Sequence, residues 1–421
     1  MSFYYRLPAT LIAATIAIVQ PEFAVAQLSA QQVEEIDTNQ CNPSEEIDFN
    51  EAIRLNPNDG EAYNGRGAVR YDQGDIQGAI TDFNEAIRLN PSYAAAYINR
   101  AKARYNQGDI QAAIADVNEV IRLEPNDVKA YYIRAFLRYD QGDEPGAIAD
   151  YNEAIRLAPS DAGAYFYRGG VRYEQGDIQG AIADFNEAIR LEPNDAEAYY
   201  KRAFLRSQQG DKPGAIADYN EAIRLEPNYA EAYSDRGVVR YDQGDKQAAI
   251  ADYNEAIRLD PSYANAYYNR GLLRDEQGDK QGALADFNEA IRLDPNDADS
   301  YYNRGLLRDE QGDKQGALAD YNEAIRLNPS YADAYYNRAN ARSDQGDIQG
   351  AIADFNEAIR LNLNDADSYY KRGYVRSQQQ NIQGAINDFQ KASELYQQQG
   401  NTDSYRDAQN AIRELQKELE V

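Results

Sequence analysis

The segment YYNRGLLRDEQGDKQGALADFNEAIRLDP, residues 267–295, decides the fold because it returns 34 residues later, at 301–329. Between residues 267–293 and 301–327 only one position differs, Phe287 against Tyr321. The same period extends in both directions and is marked by a proline at every thirty-fourth position: Pro57, Pro91, Pro125, Pro159, Pro193, Pro227, Pro261, Pro295 and Pro329. A period of this length in a sequence of helix formers predicts a stacked array of helical repeats.

Each repeat has the pattern of two helices joined by a short turn. The first, Tyr267 to Gln277, is rich in helix formers. It stops at Gly278, because glycine readily adopts the left-handed conformation that often ends a helix. Asp279 follows where a side-chain oxygen can cap a second helix, Lys280 to Leu293, and Pro295 ends that helix. The sequence therefore predicts a helix-turn-helix unit.

The residue after each proline favours the start of the next helix. It is Asn or Ser, both preferred N-cap residues, as at Asn58, Ser92, Asn126 and Asn296. In several repeats an acid follows three residues later: Asn58 with Glu61, Asn194 with Glu197, and Asn228 with Glu231. This spacing predicts a capping box, so these acids have a structural role first.

Eight positions of this repeat carry a resemblance to a known family: Tyr267, Gly271, Gly278, Asp279, Ala283, Phe287, Ala290 and Pro295. The pattern resembles the tetratricopeptide repeat family and covers ten full repeats, residues 60–399. The resemblance implies an all-α, right-handed superhelical solenoid of about ten 34-residue helix-turn-helix repeats, whose concave surface binds proteins or peptides. It implies no catalytic chemistry.

The chain departs from that family pattern in two places. Two inward positions of the first helix, usually large and apolar in the family, are arginine in all ten repeats, for example Arg270 and Arg274. In the tenth repeat Gln380 and Asn381 replace the Gly-Asp turn, and the second helix ends near Leu395 without a proline.

The N-terminus has the pattern of a secretory signal peptide. Arg6 precedes a mainly apolar run from Leu7 to Val19, and Ala24-Val25-Ala26 forms a cleavage site, so residues 1–26 are predicted to be removed. The alternative is an uncleaved membrane anchor, although the run is shorter than the roughly 20 apolar residues that span a bilayer. We expect an exported protein of the periplasm, outer envelope or extracellular space, with no transmembrane segment after cleavage.

The two ends of the array are expected to be atypical repeats because one side of each faces water. Residues 27–59 are interpreted as a degenerate N-terminal capping repeat, since 45–55 keeps the pattern of a second helix. Residues 400–421 are interpreted as a C-terminal capping helix, with apolar residues at helical spacing between Asp403 and Leu419. A frayed polar tail is the alternative there.

Composition narrows the possible partners and chemistry. With 43 basic and 70 acidic side chains, the formal charge of −27 argues against binding nucleic acid or an anionic membrane and favours a basic or neutral protein or peptide. The absence of histidine and the single cysteine, Cys41, exclude most zinc sites and histidine-dependent nucleophiles. Carboxylate pairs recur in every repeat, whereas a catalytic site is singular, so we expect no enzyme, cofactor or metal.

The arginines of the first helix are expected to pair with a buried acid of the second. Arg270 and Arg274 share a face with Gly271, and Asp286 lies beside Phe287 on the facing stripe. Because unpaired buried charges cost several kcal/mol each, we predict an ion-pair ladder. Its representatives are Arg270, Arg274 and Asp286, and Arg304, Arg308 and Asp320. The alternative is that the arginines lie over apolar surface with their charged groups in water.

The opposite stripe of the first helix occupies positions that line the concave groove in the resembled family. We call them the inner aromatic positions, although two of the eleven are leucine. They are Tyr132, Phe136, Phe166, Tyr200, Phe204, Tyr268, Leu272, Tyr302, Leu306, Tyr336 and Tyr370. A second row runs beside them, with tyrosines such as Tyr71, Tyr105, Tyr139, Tyr173 and Tyr241 and acids such as Asp72, Asp140, Glu174, Asp242, Glu276, Glu310 and Asp344. Exposed aromatic rows favour a contact surface. The alternative is that neighbouring repeats cover them.

These patterns predict an interaction scaffold that binds an extended peptide or protein in the groove. Near-identical repeats favour an extended or repetitive ligand held by several equivalent contacts. Recognition of an extended polysaccharide along the tyrosines is the alternative function, and a purely architectural spacer is a third. The partner's identity and the oligomeric state stay open.

Overall fold

The computed structural model describes residues 43–419, and within this range the chain forms 22 α-helices and no β-strand. The helices, numbered in chain order, are α1 Pro43–Leu55, α2 Gly60–Asp72, α3 Ile76–Leu89, α4 Ala94–Asn106, α5 Ile110–Leu123, α6 Val128–Asp140, α7 Glu144–Leu157, α8 Ala162–Glu174, α9 Ile178–Leu191, α10 Ala196–Gln208, α11 Lys212–Leu225, α12 Ala230–Asp242, α13 Lys246–Leu259, α14 Ala264–Glu276, α15 Lys280–Leu293, α16 Ala298–Glu310, α17 Lys314–Leu327, α18 Ala332–Asp344, α19 Ile348–Leu361, α20 Ala366–Gln378, α21 Ile382–Gln398 and α22 Thr402–Leu419.

The turn inside each repeat has the predicted chemistry. Gly278 has a φ of 84°, in the left-handed region that a residue with a Cβ avoids. Asp279 then caps α15, because its carboxylate accepts the backbone N–H of Gly282 at 2.9 Å. In the tenth repeat Gln380 adopts the same left-handed conformation, with a φ of 59°, and Asn381 supplies the cap.

The capping boxes predicted at the start of the first helix in several repeats are wrong. The N-cap is one residue further along, so Asp59, not Asn58, accepts the N–H groups of Glu61 and Ala62, each at 3.1 Å. The Pro-Asn pair forms a turn first, which postpones the helix by one residue. Where this position is tyrosine, as at Tyr263, the helix has no side-chain cap. In this repeat the first helix begins at Ala264, which is three residues before the segment quoted at the start of the sequence analysis.

The core of each repeat lies between its two helices and the next repeat. Ala283, Phe287 and Ala290 are buried, and Phe287 packs with Leu307 of the following repeat. A Cβ at Gly271 would lie 2.9 Å from the Phe287 ring, so glycine allows the helices to approach there. Burying each such ring stabilises the fold by about 2 kcal/mol.

The described chain divides into two units, residues 43–227 and 228–419. The first contains α1–α11 and the second α12–α22, so each holds five of the ten repeats. Within each unit a first helix packs against the second helix of its own repeat and against the second helix of the repeat before it. This is the predicted all-α solenoid of helix pairs.

The C-terminal helix closes the second unit. Ala408 of α22 packs with Leu395 and Tyr396, and Ile412 and Leu415 pack against α21. At the other end, the predicted helix over 45–55 is present in α1, and Leu55 is largely exposed. The predicted signal peptide, the first part of the N-terminal capping repeat and Cys41 lie outside the described residues. Over residues 43–419 no helix has the length and apolar character needed to cross a membrane.

Candidate functional site

The arginines of the first helix pair with the buried aspartate of the second helix in the same repeat. Arg270 donates to Asp286 through Nε at 2.9 Å and Nη2 at 2.7 Å, and Arg274 donates through Nη1 at 2.8 Å. The aspartates of all ten repeats are buried in this way: Asp82, Asp116, Asp150, Asp184, Asp218, Asp252, Asp286, Asp320, Asp354 and Asp388. The carboxylate therefore has three charge-assisted hydrogen bonds in place of water.

The same arginine also connects neighbouring repeats. Arg270 Nη1 donates to Asn254 of the preceding repeat at 2.7 Å, and Arg304 donates to Asn288 at 2.8 Å. The Arg270 guanidinium additionally lies 5.5 Å from the centre of the Tyr267 ring. Arg304 and Arg308 bind Asp320 as their counterparts bind Asp286. The aspartate stays within its repeat and arginine reaches across, so these residues hold the fold.

Six of the eleven predicted inner aromatic positions are not exposed. They are buried between helices: Phe136, Tyr200, Phe204, Tyr302, Leu306 and Tyr336. Tyr302 has no exposed surface at all, at 0%. The prediction that these six side chains line an accessible groove is therefore wrong.

Contacts from the neighbouring elements explain this burial. The Tyr302 ring lies 6.1 Å from Tyr321 on the second helix and 4.7 Å from Tyr331, which begins the next repeat. Asn337 of that next repeat donates from Nδ2 to the Tyr302 hydroxyl at 2.9 Å. The ring thus packs between repeats with its hydroxyl satisfied, as buried tyrosines require.

The other five inner aromatic positions are half-buried: Tyr132, Phe166, Tyr268, Leu272 and Tyr370. Asn303 donates to the Tyr268 hydroxyl at 3.2 Å, and burial raises the pKa of that hydroxyl well above its ordinary value. Burial likewise raises the pKa of the Tyr132 hydroxyl, with a further contribution from Asp161. These two phenols stay neutral, and the five half-buried side chains are the part of the predicted lining that keeps exposed surface.

The more open surface is the second row, at the C-terminal ends of the first helices. In this row a tyrosine or acid of one repeat meets an acid or amide of the next repeat. Tyr139 donates its hydroxyl proton to Glu174 at 2.6 Å, and Asn106 donates to Tyr71 at 2.6 Å. The carboxylates Asp140 and Glu174 are exposed. We call the positions of this row, 71–208 in the unit 43–227 and 241–344 in the unit 228–419, the acidic rim.

Three lysines that the sequence analysis did not single out bind to the acidic rim in the unit 228–419: Lys246, Lys280 and Lys314. Lys280 Nζ lies 2.6 Å from Asp275 and 2.8 Å from Glu310, which belong to successive repeats. Lys314 bridges Asp309 and Asp344 at 2.6 and 2.9 Å. Burial alone would lower the pKa of Lys280, but its two carboxylate partners outweigh burial and raise that pKa. The sequence does contain a signal for these lysines: a lysine is the first residue of the second helix in repeats whose first helix ends in acidic residues.

Comparison with known families agrees with this architecture. Five segments match the family model described as "Tetratricopeptide repeat": residues 98–162, 234–298, 268–332, 302–362 and 336–404. Together they span 98–162 and 234–404, more than half of the 421 residues. The chain belongs to the tetratricopeptide repeat family. A second model, described as "TPR repeat", matches 67–108, 169–210 and 205–244 of this tetratricopeptide repeat protein.

Several solved structures are similar to this tetratricopeptide repeat protein. A repeat protein from Parabacteroides merdae is 22% identical, with 59% of this chain and 96% of that chain covered and a TM-score of 0.45. Yeast Tom70 is 18% identical over 87% and 91% of the two chains, with a TM-score of 0.40. YrrB, whose structure is described as having an unusual peptide-binding site, is 21% identical over 44% and 95%, with a TM-score of 0.38. No curated protein sequence matches the chain.

Family membership suggests a protein-protein interaction scaffold, and tetratricopeptide repeat proteins are generally non-enzymatic. The ionisable groups of this tetratricopeptide repeat protein are arranged in repeating pairs. Over residues 43–419 no group of three or more His, Cys, Asp or Glu side chains is placed to hold a metal ion. The arrangement can present carboxylates and tyrosine rings to a ligand, which is chemistry of binding.

Proposed function

We propose that this chain is a non-enzymatic scaffold of the cell envelope that binds an extended, basic or neutral polypeptide. The observation that supports this most is the acidic rim, in which a tyrosine, a carboxylate or both occur in all but one of its nine repeats. A ligand with a matching extended backbone makes the same weak contact several times, and the affinities accumulate. The inner aromatic positions that remain half-buried, such as Tyr132 and Tyr268, add partly exposed side chains to that surface.

The excess of acidic side chains supports the choice of partner. A formal charge of −27 attracts cationic segments over a distance and repels nucleic acid and anionic lipid. Tyrosine contributes apolar area and a hydroxyl with little loss of conformational entropy. The ligand class is therefore a polypeptide without net negative charge, bound in an extended form.

The binding test uses residues 27–421 and three probes. The first is an unstructured peptide of alternating lysine, glycine and serine, the second is the same peptide with every lysine acetylated, and the third is purified peptidoglycan. We expect the peptides to bind in fluorescence anisotropy, with the lysine peptide favoured at low salt and weakened by added salt. Sedimentation with peptidoglycan and no peptide binding would replace the proposal by polysaccharide recognition. Binding to none of the three would leave a spacer.

Export is tested separately. Expression of the full chain in a bacterial host, followed by fractionation and N-terminal sequencing, should give a periplasmic product that begins at Gln27. Deletion of residues 1–26 should keep the protein in the cytoplasm. A product that retains Arg6 and sediments with membranes would instead identify an uncleaved anchor.

A further inference from the structure

The lysines of the unit 228–419 show how the acidic rim holds a cation. Lys280 Nζ lies between Asp275 of its own repeat and Glu310 of the next, at 2.6 and 2.8 Å. Lys246 Nζ lies 2.5 Å from Glu276, which also takes a hydrogen bond from Tyr241. Two neighbouring repeats thus form a position for one ammonium group, built from a carboxylate with either a tyrosine or a second carboxylate.

Two repeats of the unit 43–227 contain the same position without the lysine. Tyr139 and Glu174 correspond to Tyr241 and Glu276, and they make the same contact, a hydrogen bond of 2.6 Å. The residue in phase with Lys246 is Glu144 there. One repeat earlier, Tyr105 and Asp140 form the equivalent pair.

The residue that opens the second helix of that earlier repeat is Ile110. Ile110 and Glu144 stand in phase with Lys246 and Lys280, so neither opening residue brings a cation to its pair. The opening residue therefore supplies no cation at these two pairs, whereas Lys246, Lys280 and Lys314 supply one at the acidic rim of the unit 228–419.

We propose that Tyr105–Asp140 and Tyr139–Glu174, with Glu144 beside the second pair, bind lysine or arginine side chains of a basic partner polypeptide. The partner's cations take the positions that the chain's own lysines occupy in the unit 228–419. This inference rests on the proposed function and deepens it, because it locates basic segments on one unit and gives them two contacts one repeat apart.

The surroundings of these pairs favour a cation. Asp140 and Glu174 are exposed, so a long side chain can reach them. Partial desolvation of the Glu174 carboxylate raises its pKa, as does the neighbouring charge of Glu144, while its hydrogen bond from Tyr139 acts in the opposite direction. A positive group would relieve that repulsion, and the half-buried Tyr139 lies beside it through its hydrogen bond to Glu174.

The other positions of the acidic rim in this unit are less suited to binding a cation. Asp72 already experiences the positive charge of Lys102, which opposes the effect of burial on the pKa of Asp72. In phase with Asp140 and Glu174 stand Asn106 and Gln208, neutral amides that donate to tyrosine hydroxyls. The cation-binding positions are therefore limited to two adjacent pairs.

The test compares four variants of residues 27–421, using the lysine-glycine-serine peptide and its acetylated counterpart as probes. D140N/E174Q should weaken binding of the lysine peptide about tenfold and leave the acetylated peptide unchanged, as expected for losing two partly exposed charge contacts. E124Q/E192Q is the matched control, because it removes two exposed charges of the same unit that lie at the ends of second helices. This control should bind like the wild type.

Two further variants exchange the character of the units. E144K places a lysine at the position that is in phase with Lys246. The new ammonium group should occupy Glu174 and weaken binding of the lysine peptide about fivefold. K246I/K280I copies Ile110 and should add binding of the lysine peptide to the unit 228–419, seen as a higher stoichiometry in calorimetry.

The outcomes separate this inference from the proposed function. Peptide binding that D140N/E174Q and E144K leave unchanged, or that E124Q/E192Q weakens equally, would overturn the location while the scaffold function stands. Wild-type protein that binds neither peptide would overturn the proposed function and this inference with it. Circular dichroism of each variant shows that loss of binding is not loss of helix.

Discussion

Replacing Asp286 by alanine removes the acceptor for three arginine N–H groups within one repeat. Its side chain is 4% exposed and accepts from Arg270 at 2.9 and 2.7 Å and from Arg274 at 2.8 Å. Removal of one partner from a buried ion pair costs about 3–5 kcal/mol because the remaining charge is left unpaired. The two arginine side chains keep 13% and 26% exposure, so water can partly replace the carboxylate. We therefore expect the lower end of that range, about 3 kcal/mol.

Hydrogen exchange of backbone amides measures this effect in the repeat where it occurs. Because stability in a repeat array is local, a single global unfolding curve would average it with other repeats. A cost of about 3 kcal/mol corresponds to roughly hundredfold faster exchange in α14 and α15. Amides of α18 and α19 in the same protein provide the internal reference. Asp286→Asn keeps the size of the side chain but removes the charge, and most of the acceleration should remain.

Glu289→Ala is the matched control on the same helix. Glu289 pairs with Arg292 at 2.6 Å, but this arginine side chain is 64% exposed and the pair lies in solvent. Its loss should leave exchange in α14 and α15 unchanged, because surface ion pairs are screened by water. Equal acceleration by Asp286→Ala and Glu289→Ala, or none by either, would refute the conclusion that the buried network holds the repeat together.

Three further predictions concern the turns and the acidic rim. Gln380→Gly should stabilise the tenth repeat by about 0.5–1 kcal/mol, because glycine adopts the left-handed turn without strain. The measurement is amide exchange in α20 and α21, which should become slower. Unchanged exchange would contradict the prediction. Leu363 is 65% exposed and stands where nine other repeats have proline. Leu363→Pro should raise the free energy of unfolding by about 0.4–1 kcal/mol, because proline reduces the conformational entropy of the unfolded chain. Thermal melting is the measurement, and a lower melting temperature would be the contrary result. Because burial and Glu144 raise the pKa of Glu174, its charge is lost at a higher pH than that of an ordinary glutamate as pH falls. Affinity for the lysine peptide should therefore begin to decline at higher pH in the wild type than in Glu144→Gln, and identical pH profiles would count against this cause.

The sequence predicted most of what depends on contacts inside one repeat. The period and the punctuation by Gly278, Asp279 and Pro295 gave α15 with its observed bounds. The energetic cost of unpaired charges correctly required partners for Arg270 and Asp286. These features depend on residues less than one repeat apart, where helical geometry determines which side chains meet.

What depends on the fit between repeats was not predictable in the same way. The burial of Tyr302 results from Tyr331 and Asn337, which lie 29 and 35 residues further along the chain. A small change in the rotation between repeats would open or close that contact, and the 34-residue pattern does not determine the rotation. The reach of Lys280 to Glu310 depends on the same fit. Which side chains of the proposed binding surface are exposed therefore had to come from the structure.

The bonds between Arg270 and Asn254, and between Arg304 and Asn288, have a consequence for how the array changes in length. Donor and acceptor recur at fixed positions in each repeat. Deleting residues 264–297, a complete period, would bring Arg304 to Asn254 and restore the same bond. Genetic loss or gain of whole periods thus rejoins compatible ends, so descendants with fewer or more repeats inherit a working junction without compensating mutations.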